Sequence, residues 1–190
     1  VALGLIPVKM PSSQNTAIVM PENRSRFILH AEIVGHNPEA SGLDAFSAGN
    51  PVERRQNRIE RVAAAYQGSI EVRGDSAMRI RFPSADAALL GACEMQHRCA
   101  VLPQVSRQKL TLRIGIHQGL IRQRSEDISD NARQIAGRLA DTDDSILISQ
   151  DVYRGLSKDL QALAEAEEAP VAGLPVLTID CDVARRAECM

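Results

Sequence analysis

The sequence predicts an α+β fold, a ferredoxin-like (split βαβ) arrangement with an antiparallel-rich sheet and helices packed on one face. Three observations carry that prediction. The apolar runs 26–34, 69–72, 78–82 and 110–117 have the alternating or continuous apolar character of strands. Between them, 51–66 and 84–96 repeat apolar residues at helical spacing. The second and third strands flank a tight Arg73-Gly-Asp-Ser76 turn and so form a hairpin. Strand, helix, hairpin, helix, strand is the order of a split βαβ unit, and no internal repeat is present.

Taken in order, residues 1–24 contain Pro, Ser and Asn without any period, and are expected to form an N-terminal arm or linker. The run 26–34 alternates and then turns wholly apolar, as a buried strand does. Residues 36–50, rich in Gly, Ser, Asn and Pro, are expected to be loop or broken helix. Pro51 opens the first helix, which places Val52, Ile59, Val62, Ala63 and Tyr66 on one face and closes at Gln67-Gly68. Ser84 is the expected N-cap of the second helix, with Ala88, Leu89, Ala92, Met95 and Gln96 facing inward.

After the strand carrying Leu110, Leu112, Ile114 and Ile116, residues 120–123 are expected to return as its hairpin partner. A helix over 130–139, a short strand over 145–149 and a small helix over 150–156 follow. Residues 174–179 are expected as an edge strand, where Pro175 is tolerated. One domain over 25–180 and a C-terminal tail over 181–190 complete the expectation.

Composition narrows the function. The 190 residues suffice for one sizeable core, and a hydrophobic content of 44% is ordinary for a globule. An aromatic content of 3% without Trp disfavours base-stacking on single-stranded nucleic acid, and a net charge of -2 disfavours a nucleic-acid surface altogether. No apolar stretch approaches the ~20 residues of a membrane helix. The segment 1–9 is apolar but short, is interrupted by Pro7 and Lys9, and reads poorly as a signal peptide. Cys93, Cys99, Cys181 and Cys189 lack regular spacing, which points to reduced thiols and a cytoplasmic location. Cys93 and His97 are four apart, yet no second ligand pair follows at zinc-like spacing. His30, His36 and His117 read as ordinary strand or loop residues.

Three segments end an apolar run at a Gly or an acidic residue: Phe27-Ile-Leu-His-Ala-Glu-Ile-Val-Gly35, Ser69-Ile-Glu-Val-Arg-Gly-Asp75 and Leu112-Arg-Ile-Gly-Ile-His-Gln-Gly119. Followed by Asp127 and Ala136-Gly-Arg138-Leu, they resemble the catalytic (cyclase homology) domain of class III adenylate and guanylate cyclases, over roughly 26–179. The resemblance implies a head-to-tail homodimer with active sites at its interface, and two divalent cations, Mg2+ or Mn2+, on a nucleoside triphosphate. Glu32 stands at the first metal carboxylate, one methylene longer than the family's Asp, with Ile33 as backbone ligand and Gly35 near the phosphates. Asp75 stands at the second. Glu71 takes the first base-reading position, where a carboxylate accepts hydrogen bonds and suits guanine N1–H and N2–H. Asp127 takes the second, where an ionised carboxylate suits the adenine amino group, so the two disagree on the base.

Gln134 replaces the family's Asn, and Arg138 keeps the transition-state Arg. The family's triphosphate-binding Lys is absent from the corresponding 170–173 stretch, Pro-Val-Ala-Gly. The implied activity is conversion of ATP or GTP to a 3′,5′-cyclic nucleotide and pyrophosphate by two-metal catalysis. A fused or separate sensor or effector domain is the further partner the resemblance allows. The alternative is a catalytically inactive pseudo-cyclase, a nucleotide-binding or dimerising regulatory module.

Overall fold

The protein is described here by a computed structural model covering residues 25–35, 50–103, 109–120, 130–141, 145–171 and 173–188. The expected arm over 1–24, the loop over 36–49 and Asp127 lie outside the described residues. The elements are β1 (Ser25–Val34), α1 (Pro51–Ala65), β2 (Ser69–Arg73), β3 (Ala77–Phe82), α2 (Ala85–Ala100), β4 (Thr111–Leu120), α3 (Asp130–Ala140), β5 (Ile146–Ser149), α4 (Gln150–Gly155), α5 (Lys158–Gln161), β6 (Ala164–Ala166), β7 (Val176–Ile179) and α6 (Cys181–Glu188). They build the expected α+β fold around a seven-stranded sheet ordered β2-β3-β1-β4-β5-β7-β6. β1 pairs antiparallel with β3 and β4, and β4 with β5 is the parallel step.

Alternation along β1 explains the layers. Phe27, Leu29, Ala31 and Ile33 join the main core with Val52, Ile59, Val62 and Ala63 of α1 and Ala88, Leu89, Ala92 and Met95 of α2. Each fully buried Leu or Ile there contributes roughly 1.5–3 kcal/mol. The helix starts follow local chemistry. Asn50 Oδ1 accepts from the Val52 and Glu53 amides at 2.9 and 3.4 Å, and Ser84 Oγ accepts from the Ala87 amide at 3.2 Å.

One helix departs from the expected single covered face. Ile28, which points away from the main core, packs with Ala132 and Ala136 of α3. A Cβ built on Gly115 would lie 2.2 Å from the Ala136 carbonyl oxygen, so glycine there lets α3 lie directly on β4. α3 therefore crosses the opposite side of the sheet from α1 and α2.

Two further expectations change. β7 is interior, between β5 and β6, and β6 forms the edge in place of 174–179. β4 runs on through Leu120, so that residue extends the strand it was expected to pair with, while 121–123 lie outside the described residues. In the stretch expected as a tail, α6 buries Ala184 in the main core.

Candidate functional site

The end of β1, the start of α1 and the β2–β3 turn enclose a cleft of 860 Å³. Glu32, Ile33, Val34 and Gly35 form one wall, Gly74, Asp75 and Ser76 another, and Asn50, Glu53 and Gln56 the third. Four of the residues singled out in the sequence, Glu32, Ile33, Gly35 and Asp75, are thus brought together although the two carboxylates lie 43 positions apart in the chain. Backbone bonds hold the walls in register. The Ile33 amide donates to the Ser76 carbonyl at 2.8 Å, and the Gly74 amide to the Ala77 carbonyl at 2.8 Å. Gly35 has a local reason to be glycine: its φ is +87°, and a Cβ would meet the Lys109 carbonyl at 2.4 Å.

Glu32 is half-buried and Asp75 exposed. Among the described residues, no group of three or more His, Cys, Asp or Glu side chains is placed to hold a metal ion. Three carboxylate residues line this cleft, Glu32, Glu53 and Asp75, with neighbouring backbone oxygens. That set fits a hard cation such as Mg2+ or Mn2+, which keeps waters and takes its remaining ligands from phosphates.

Glu71, Gln134 and Arg138 do not line this cleft. Glu71 lies at a bulge in β2, where the register against β3 shifts between Ile70 and Val72. Its Oε2 accepts from Arg133 Nε of α3 at 3.4 Å, and Arg133 Nη1 also donates to Asp130 Oδ1 at 3.0 Å. Gln134 and Arg138 are exposed and four residues apart, so they share one helical face. The structure thus sorts the described candidates into two groups, one in the cleft and one on α3 with Glu71 tied to it.

Two residues near these groups were not singled out from sequence. Arg133 immediately precedes Gln134 and carried no signal beyond a surface charge. Gln56 is buried on α1 and donates from Nε2 to the Gly74 and Asp75 carbonyls at 2.7 and 3.1 Å. Its neighbour Arg55 is also buried, with Nη1 donating to the Pro51 carbonyl at 3.2 Å. Burial lowers the Arg55 pKa and pushes the adjacent Cys99 thiol up to about 11, so Cys99 is a poor nucleophile.

His30, two residues before Glu32, has its pKa lowered chiefly by burial, which the Glu32 charge partly opposes. Its Nδ1 is buried without a hydrogen-bond partner among the described residues. His117 is buried with Nδ1 2.8 Å from Ser149 Oγ, and burial lowers its pKa as well. Cys93, Cys99 and Cys181 are free thiols.

No family model matches the chain, and no curated protein matches it by sequence. Solved structures do match it. The adenylyl cyclase CyaB from P. aeruginosa aligns with a TM-score of 0.67 at 17% identity, covering 84% of this chain and 95% of that one. The guanylate cyclase domain of RhGC from Catenaria anguillulae, in complex with GTP, aligns with a TM-score of 0.67 at 12% identity over 83% and 97%. The adenylate/guanylate cyclase/hydrolase from Silicibacter pomeroyi aligns with a TM-score of 0.58 at 24% identity over 83% and 97%. The fold is that of class III cyclase catalytic domains. Among the described residues, no helix is long and apolar enough to cross a membrane.

Proposed function

We propose that this domain is a nucleotidyl cyclase that converts ATP or GTP to a 3′,5′-cyclic nucleotide and pyrophosphate, acting as a homodimer. The observation that carries the reading is the meeting of Glu32, Ile33, Gly35 and Asp75 in one cleft of a cyclase fold.

Glu32 and Asp75 would hold Mg2+ or Mn2+, with the Ile33 carbonyl as a backbone ligand. Bound cations supply charge compensation on the triphosphate oxygens. The backbone at Val34 and Gly35 lines the same cleft and would face the phosphates. Gln134 and Arg138 are exposed on α3 and do not line this cleft, which suits a composite site in which they serve the nucleotide held by the other protomer. There Gln134 orients the ribose, and Arg138 offsets charge growing at the α-phosphate. The ribose 3′-oxygen forms a bond to that phosphorus, the α–β bridging bond breaks, pyrophosphate leaves, and the 3′-hydroxyl proton passes to solvent or a nearby base. Glu71 meets the purine edge and, as an acceptor, favours guanine.

Glu32 carries its charge one methylene further out than an Asp would. Magnesium demands tight octahedral geometry, so Mn2+ is expected to support the higher rate. The test is cyclic nucleotide formation by purified protein, with ATP and GTP separately, in Mn2+ and then Mg2+. Asp75→Ala is expected to cut product by ~100-fold or more. Undiminished product in that variant would overturn the assignment of the cleft. No product from a folded, dimeric wild type would replace this reading with that of a regulatory pseudo-cyclase module.

A further inference from the structure

We propose that Gln56 is a positioning residue for Asp75, its buried amide fixing the turn that presents the carboxylate to the cleft. The inference rests on the cyclase reading in so far as Asp75 is taken to hold a cation.

The buried face of α1 is apolar at Val52, Ile59, Val62 and Ala63, which makes a glutamine 4% exposed on that helix a feature with a specific partner. That partner is the hairpin turn. Gln56 Nε2 donates at 2.7 Å to the Gly74 carbonyl and at 3.1 Å to the Asp75 carbonyl, across 18 and 19 residues of chain. The next carbonyl, that of Ser76, accepts from the Ile33 amide of β1 at 2.8 Å. Three consecutive peptide oxygens, on residues 74, 75 and 76, are therefore bound to two packed elements, α1 and β1. With its peptide held this way, Asp75 keeps its exposed side chain turned to the same cleft as Glu32.

Gly74 and Asp75 are exposed, so water can take over both carbonyls if the amide is lost. The stability cost of losing the amide is then small. The cost in position is not, because Gln56 donates to both of the first two carbonyls and so ties them to α1. Partners that orient a metal ligand commonly change metal affinity 10–100-fold when removed. Gln56 is thus expected to act on cation binding far more than on folding.

The experiment is a titration of Mn2+ followed by electron paramagnetic resonance, on full-length protein with a 3′-deoxynucleoside triphosphate that cannot cyclise. Melting temperatures are measured alongside in chelator. Gln56→Met keeps the volume and removes the donors. It is expected to weaken Mn2+ binding about 10-fold with the metal-free melting temperature nearly unchanged. Gln56→Asn keeps a donor but draws it back by a methylene. It is expected to weaken binding in the same direction, and it serves if the Met variant does not fold.

Wild-type Mn2+ affinity in the folded Gln56 variants, with binding lost in Asp75→Ala, would overturn the role of Gln56 and leave the cyclase reading standing. Wild-type affinity in Asp75→Ala, or no Mn2+ binding by the wild type, would overturn both.

Discussion

The two groups of candidate residues are held in different ways. Around Glu32 and Asp75 the peptide backbone itself is clamped, by the Ile33-to-Ser76 bond and by the two bonds from Gln56. Gln134 and Arg138 instead ride as exposed side chains on a helix that meets the sheet through alanines, a glycine and the Arg133–Glu71 pair. The contrast teaches where precision resides. The cleft is held by backbone bonds, whereas the α3 group presents long, exposed side chains, whose geometry a second copy of the chain would complete on the proposed reading.

The largest expected effect addresses that division directly. If the two groups serve different sites across a dimer, Asp75→Ala and Arg138→Ala should each lose activity by ~100-fold or more. Mixing the two inactive proteins at equal concentration should then restore about a quarter of wild-type activity, because half of the dimers pair unlike protomers and regain one intact site of two. Cyclic nucleotide formation before and after mixing checks this. No recovery, with subunit exchange confirmed, would place both groups in one protomer's site and erase the contrast.

Next in size is Gly115→Ala. Its new methyl would sit 2.2 Å from the Ala136 carbonyl oxygen and 2.6 Å from the Ala140 amide nitrogen, so α3 must lift off β4. Overpacking of this kind costs roughly 1–3 kcal/mol, which lowers the melting temperature by about 2–4 °C per kcal/mol in a chain of this size. Because the cleft does not depend on α3, Mn2+ affinity in the folded variant should persist while turnover falls. Loss of both together would show that the two groups are not mechanically separate.

This difference also governs what the sequence makes legible. The first helix, the hairpin and the second helix announce themselves because their alternation and capping are local, and Ser84 caps as expected. The meeting of Glu32 with Asp75 in one cleft was implied by the resemblance to class III cyclase domains, not by any local pattern. Arg55 and Gln56 were legible in neither way. A helical pattern assigns such residues to solvent, and only the tertiary placement of the 74–76 turn over α1 gives Gln56 its partners. The face chosen by α3 was equally hidden, since Ala132, Ala136 and Gly115 carry almost no hydrophobic signal yet let α3 lie directly on β4. β6 and α5 are short, and a periodicity window does not register elements of three or four residues.

Arg133 is where the two regions touch the question of base choice. It binds Glu71 with side chains 21% and 12% exposed, so the pair is screened less than a surface bridge, and if Glu71 reads the base as proposed, Arg133 would compete with a purine for the carboxylate. Arg133→Ala should release Glu71 to guanine N1–H and N2–H. The ratio of kcat/KM for GTP over ATP is then expected to rise several-fold, equivalent to about 1 kcal/mol. An unchanged ratio would remove Glu71 from the base pocket.

The smallest effect concerns the two buried histidines, one at each end of the comparison: His30 beside Glu32, and His117 bonded to Ser149 at the far side of β4. Burial lowers both pKa values from 6.5, so in the folded protein both stay neutral below the pH at which the unfolded chain takes up protons. Stability from this source is present above pH 6.5 and is lost as pH falls through that value toward the folded pKa. The melting temperature of the wild type should therefore drop between about pH 7.5 and about pH 5.5, and His117→Asn should drop less steeply. His117 is opposed only by the Asp151 charge, and its slope should ignore Mn2+. His30 feels Glu32, which in the free protein favours its charged form and holds its pKa closer to normal. A cation on Glu32 offsets that charge, so the pH dependence remaining in His117→Asn should steepen with Mn2+ and nucleotide present. The same slope with and without metal would mean that the cation does not sit on Glu32, and the cleft would lose one of its two proposed metal carboxylates.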